Sequence, residues 1–174
     1  MKLPEELQFI VVAGANRKLY RWLVKKAKRS AKKIIYYDYA NNVDELMEAA
    51  TLIVTKPGGM TTSECLAKGL PMVIVNPLPG QELRNTDFLI EKGAAVHVHD
   101  IRDLAEEVEI LLKSPQRLQS MGRAAYENSR PHAADDIAKL VLQATPPARP
   151  YDKISTLQVR ADDHPLRAEE DRLP

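Results

Sequence analysis

Short apolar runs alternate with longer stretches in which apolar residues recur every three or four positions, from the amino terminus to about residue 143. The run Gln8-Phe9-Ile10-Val11-Val12-Ala13-Gly14 is nearly continuous, as expected of a strand buried on both faces. Lys33 to Tyr37, Leu52 to Thr55, Pro71 to Val75 and Ala94 to Val98 read as further strands. Helical periodicity fills the spaces between them, over Arg17 to Ala31, Val43 to Ala50, Thr61 to Lys68 and Gln81 to Lys92. Three more helices are predicted over Ile101 to Lys113, Pro115 to Asn128 and Ala133 to Gln143. Strand and helix alternating through such short links predict an α/β fold, a doubly wound parallel sheet with helices on both faces. In such sheets ligands bind beyond the carboxyl ends of the strands.

Composition narrows the class without naming a partner. The chain has 174 residues, 28% of them charged, with a formal net charge of +1, which describes one soluble globular domain and gives no sign of nucleic-acid binding. After Gln143 the pattern stops: 145–174 holds five prolines and few large apolar residues, and it reads as a disordered tail behind a domain spanning 1–144. One cysteine, Cys65, excludes an internal disulfide, and a small buried thiol is a better reading of it than a nucleophile. No run approaches the roughly 20 apolar residues of a membrane span, so a cytoplasmic location is expected, possibly peripheral on the cytosolic face of a membrane.

Chemistry concentrates at two strand ends. The stretch Thr55-Lys56-Pro57-Gly58-Gly59-Met60-Thr61-Thr62-Ser63-Glu64 places two glycines between a strand and a helix. The first amides of a helix lack partners, the helix dipole is positive there, and glycine lets a phosphate come close to the backbone. The stretch is neither GxxxxGK[ST] nor GxGxxG, so ATPase and dinucleotide readings lose their specific support. A plain tight turn followed by a capping box, Thr61-Thr62-Ser63-Glu64, explains the same residues equally well. At the next strand end, Asn76-Pro77-Leu78-Pro79-Gly80-Gln81-Glu82 leads into a helix on which Gln81 and Asn85 lie four apart, with Glu82 beside them. Amides and carboxylates suit sugar hydroxyls, although helix capping and a solvated face account for these residues in isolation.

Together, TKPGGMTTSECLAKGLP and NPLPGQELRNTDFLIEKGAA resemble the carboxyl-terminal, donor-binding half of inverting GT-B glycosyltransferases that use UDP-sugars. The match is nearest to the monogalactosyldiacylglycerol synthase and processive diacylglycerol glucosyltransferase group, with the peptidoglycan N-acetylglucosaminyltransferase more distant. VVAGANRKL and YYDYANNVDELMEAA match in place, and the resemblance runs from about Gln8 to Gln143. It implies a Rossmann-like fold in which Gly58, Gly59, Met60 and Thr61 offer backbone amides to the diphosphate and Glu64 binds the ribose hydroxyls. Tyr39 and Ala40 would meet the uracil, Gln81, Glu82 and Asn85 the sugar and phosphate, and Asn16 the cleft floor. The family often has phenylalanine at the Tyr39 position and a small residue at that of Pro57. The donor would be a UDP-hexose, with no cofactor and no metal, and the acceptor a lipid of diacylglycerol type.

The resemblance also implies an amino-terminal acceptor domain that supplies the general base, so the catalytic residues are expected outside this chain. The chain is then a fragment or truncated form of such an enzyme, inactive alone, or the donor subunit of a split N-acetylglucosaminyltransferase with a membrane-anchored partner. A UDP-sugar epimerase of the same fold is the remaining alternative. Three further features bear on function. Arg17 to Lys33 holds nine basic residues and no acid, for which an ordinary solvated face is preferred and a peripheral contact with anionic lipid is the alternative. His97 and His99 share a strand face but have no third ligand nearby. Ser129-Arg130-Pro131-His132-Ala133 reads as a break between two helices, and in relatives the last helix crosses to the acceptor domain.

Overall fold

Met72, Val73 and Ile74 are wholly withdrawn from solvent, and the alternation of their side chains organises the fold. Met72 and Ile74 pack with Met47, Cys65, Leu66 and Leu89, whereas Val73 packs with Val98, Val108, Leu111 and Met121. A strand flanked this way has helices on both faces, and burying each such aliphatic side chain stabilises the fold by roughly 1.5–3 kcal/mol.

The computed structural model describes Leu3 and residues 6–144. The elements in order are β1 (Phe9–Val12), α1 (Arg17–Ala27), β2 (Ile34–Tyr37), α2 (Val43–Ala49), β3 (Ile53–Thr55), α3 (Gly59–Lys68), β4 (Met72–Val75), α4 (Gln81–Glu91) and β5 (Ala95–Val98), then a 3-10 turn (Ile101–Asp103), α5 (Leu104–Leu112), α6 (Pro115–Glu127) and α7 (Ala133–Ala144). Two compact units divide the chain at Pro131, and α7 is the described part of the second. The stretch expected to be a tail lies outside the described residues.

All strand pairs are parallel. β3, β4 and β5 form one ladder, with Ile53 opposite Met72 and Met72 opposite Ala95, and β1 pairs with β2 from Phe9 opposite Ile34 to Val12 opposite Tyr37. The α/β, Rossmann-like architecture is the one the sequence predicts. Two details depart from expectation. Among the described residues no hydrogen-bonded ladder joins the β1–β2 pair to the other three strands. β1 is also not buried on both faces: the Tyr20 ring of α1 meets Tyr36 edge-on at 5.7 Å on one side of the pair, while Ile10 and Val12, which point the other way, are 38% and 43% exposed.

Helix ends are set by local chemistry. The Asn16 side chain accepts the Leu19 amide at 3.0 Å and starts α1. α1 stops at Ala27, four residues short of the predicted end, where the apolar stripe runs out and Lys25, Lys28 and Arg29 crowd like charges three and four residues apart. Asp100 accepts the Arg102 amide at 2.9 Å, which turns the first residues of the predicted 101–113 helix into a 3-10 turn.

Candidate functional site

The carboxyl ends of β3 and β4 carry the two motifs, and the structure ties them together. Pro57 is fully buried and fixes the turn after β3. Its carbonyl accepts the Asn85 side-chain amide at 2.8 Å, a bond from the second turn of α4 to the entry of α3. The Lys56 ammonium lies 3.5 Å from a Glu82 carboxylate oxygen, and the same oxygen accepts the Leu78 amide at 2.7 Å. A Cβ added to Gly59 would lie 3.4 Å from the Gln81 side-chain nitrogen. The amino termini of α3 and α4 therefore border one space, and both helix dipoles present their positive ends to it.

At the glycine turn, the Gly58 amide donates to the Lys56 carbonyl at 2.9 Å, so this expected phosphate donor is already committed. The first helical bond of α3 runs from Thr62 to the Gly58 carbonyl, which leaves the amides of Gly59, Met60 and Thr61 without a protein partner among the described residues. Met60 is 80% exposed, and no acid occupies the first turn of α3. Neither Gly58 nor Gly59 has a positive φ, and the space beside Gly58 is open. Nothing inside the fold demands glycine at these two positions. A Cβ on Gly58 would meet open space and one on Gly59 only the Gln81 side chain, at the helix end that carries the three free amides.

The capping box is overturned. Gly58 is the N-cap, with no side-chain bond, and Glu64 stands six residues into α3, beyond reach of the terminal amides that a box must satisfy. Glu64 is exposed, on the outer side of the helix. Of the α4 residues, Glu82 and Asn85 spend at least one polar atom each on holding the two loops, and Gln81 is exposed beside Gly59. Asn16 and Tyr39 lie at the carboxyl ends of β1 and β2. The Asn16 oxygen caps α1, and the Tyr39 ring is 74% exposed next to buried Ala40.

Two residues outside the expected donor-binding set belong to this rim; one of them, Lys56, the sequence already marks as a charge that could add to an anion site. Lys56 supplies the cation paired with Glu82. Asn76, the first residue after β4, holds φ at +45°, an uncommon conformation that asparagine tolerates better than most residues and that turns the chain toward the loop. Elsewhere, the Cys65 thiol is completely buried, and burial pushes it up to about 12, far from any nucleophilic role. The rings of His97 and His99 sit 4.1 Å apart, and burial, followed by repulsion from His99, lowers the basicity of His97. Among the described residues no group of three side chains could hold a metal.

Residues 2–139 match the glycosyltransferase family 28 C-terminal domain. The chain belongs to that family. It is 36% identical over 142 residues to a processive diacylglycerol beta-glucosyltransferase of Bacillus cereus, and 35% identical over 143 residues to the protein of the same name in Bacillus thuringiensis. In each case 82% of this chain is covered, against 36% and 37% of the relative, so the family 28 chain spans little more than a third of their length. Among solved structures it resembles Acinetobacter baumannii MurG, with a TM-score of 0.62 and 18% identity over 82% of this chain and 54% of that one, a likeness of fold.

Proposed function

We propose that this family 28 domain binds a UDP-hexose and holds the UDP leaving group while the hexose passes, with inversion, to a lipid acceptor of diacylglycerol type. The observation that carries the reading is the glycine turn, where two glycines that the fold does not require border three unpartnered amides at a helix amino terminus. The sugar and acceptor class follow from the names of the relatives in Bacillus. As the glycosidic bond breaks, negative charge grows on the diphosphate. Amides of Gly59, Met60 and Thr61 and the dipoles of α3 and α4 would stabilise that charge without reorganising, which is the main form of catalytic help such a site gives. Lys56 would add a mobile cation, moving from Glu82 to phosphate and releasing Glu82 toward the sugar. Glu64 would take the ribose hydroxyls and Tyr39 the uracil. The general base is assigned to no residue of this chain, and transfer by these residues alone should be negligible.

The test is a thermal shift with UDP, UDP-glucose, UDP-galactose and UDP-N-acetylglucosamine. Ligand at a hundred times its Kd stabilises by about 2.7 kcal/mol, a shift of several degrees for a domain of this size. Glu64→Ala should weaken UDP binding without lowering the unliganded melting temperature, because the exposed Glu64 side chain makes no hydrogen bond or ion pair among the described residues. No shift with any of the four would end the proposal. A shift confined to the N-acetyl sugar would redirect it to an N-acetylglucosaminyltransferase.

A further inference from the structure

Among the described residues nothing covers the outward face of α1. Leu23 is its buried residue, and the Tyr20 ring is held by Tyr36. On the opposite side Trp22 is 56% exposed and makes no ring or cation contact among the described residues. Helical spacing puts Lys18, Lys25 and Lys26 around it, and Trp22, Lys25, Lys26 and Arg29 line one shallow depression. Nine basic residues fall between Arg17 and Lys33. Lys32 bonds the Leu3 carbonyl, and the other eight are all exposed and make no ion pair among the described residues.

We infer that this face docks on an anionic lipid surface, with Trp22 as its interfacial anchor. An ordinary solvated face would mix signs or pair its cations, and it would not carry an exposed indole. Two complementary signals meet here: eight exposed basic side chains with no ion-pair partner among the described residues, and one amphipathic ring of the type that settles at the level of lipid headgroups. Leu19, 36% exposed and three residues before Trp22, extends the apolar contact. Nucleic acid would satisfy the charge and could stack a base on Trp22, but it gives the exposed Leu19 beside that ring no partner, whereas a lipid interface takes both. The docking face lies on α1 alone and is independent of donor binding.

Trp22 is the only tryptophan in the chain, so its emission reports this face and no other. The full chain is to be mixed with vesicles of phosphatidylcholine, or of equal parts phosphatidylcholine and phosphatidylglycerol, and followed by tryptophan emission and co-sedimentation. The mixed vesicles should shift emission to the blue and pellet the protein; pure phosphatidylcholine should do neither. The triple change Lys25→Gln, Lys26→Gln, Arg29→Gln should weaken binding about 100-fold, from the roughly fivefold that each cation near an anionic surface contributes. Trp22→Ala should reduce pelleting, and both variants should keep wild-type helicity by circular dichroism because the altered side chains are exposed. UDP affinity should be unchanged in both. Pelleting with no emission shift, equal binding to both vesicles, or the same emission shift with duplex DNA would each overturn the inference.

Discussion

Two pairs of glycines sit at opposite ends of α3, and the fold accounts for only one of them. At the carboxyl end, Gly69 caps the helix at φ +61° and a Cβ there would lie 3.1 Å from the Gly122 carbonyl oxygen. A Cβ on Gly122 would reach 2.8 Å from the Gly69 oxygen, so the two backbones pass too closely for any side chain. At the amino end neither Gly58 nor Gly59 has a positive φ; Gly58 has open space beside it, and a Cβ on Gly59 would meet only the flexible Gln81 side chain at 3.4 Å. One pair is glycine because of what the protein puts there. The fold does not account for the other, and the proposed contact with a ligand's phosphates would.

The largest effect should come from the packed pair. Gly122→Ala drives a methyl against backbone that cannot swing aside, and overpacking of this kind costs about 1–3 kcal/mol. Urea unfolding should show a lower midpoint with an unchanged slope, while the molecules that remain folded bind UDP as before. A Gly122→Ala protein as stable as the wild type would remove the contrast at its firmer end.

The reverse result is expected for Gly59→Ala. Alanine is a better helix former by about 1 kcal/mol, φ is compatible, and the nearest atom is the flexible end of Gln81 at 3.4 Å, so stability should hold or rise slightly. UDP affinity should fall about tenfold, roughly 1.4 kcal/mol, as the methyl intrudes on the diphosphate. Calorimetric titration at equal folded fraction separates the two quantities. Unchanged UDP affinity would mean that the open space beside these glycines has another purpose.

How much of this was legible beforehand depends on what each residue contacts. β4 and its two flanking helical layers were readable because Met72 to Val75 is an unbroken apolar run and apolar pattern reports burial directly. β1 carries the same pattern but is half exposed, since a run of apolar residues states a capacity for burial and says nothing of whether a partner covers it. Family likeness could mark Asn85 and Glu82 as rim residues. It could not show that both are tied to the other loop, because the bonds from Asn85 to Pro57 and from Glu82 to Lys56 join residues far apart in the chain. The capping box failed for a smaller reason: Ser/Thr-x-x-Glu is a motif only when the helix begins at its first residue, and glycine at 58 moved that start upstream.

The smallest and most discriminating effect belongs to Asn85, which the resemblance places against the sugar and the structure places against the Pro57 carbonyl. Asn85→Ala removes the donor to the carbonyl of buried Pro57 and should cost about 1 kcal/mol of stability. Its influence on ligands then depends on which role dominates. As a strut, Asn85 fixes the turn that aims the three free amides, so its loss should weaken UDP and UDP-hexose by the same few-fold factor. As a direct sugar ligand it would leave UDP affinity untouched and lower that of UDP-hexose alone. Equal losses are expected, because one N–H of the Asn85 amide is already engaged at 2.8 Å with the Pro57 carbonyl, which fixes the orientation of the second N–H and of the oxygen. A loss restricted to the hexose would show that the bond to Pro57 is exchanged for the sugar on binding, and would make the glycine turn a part that moves.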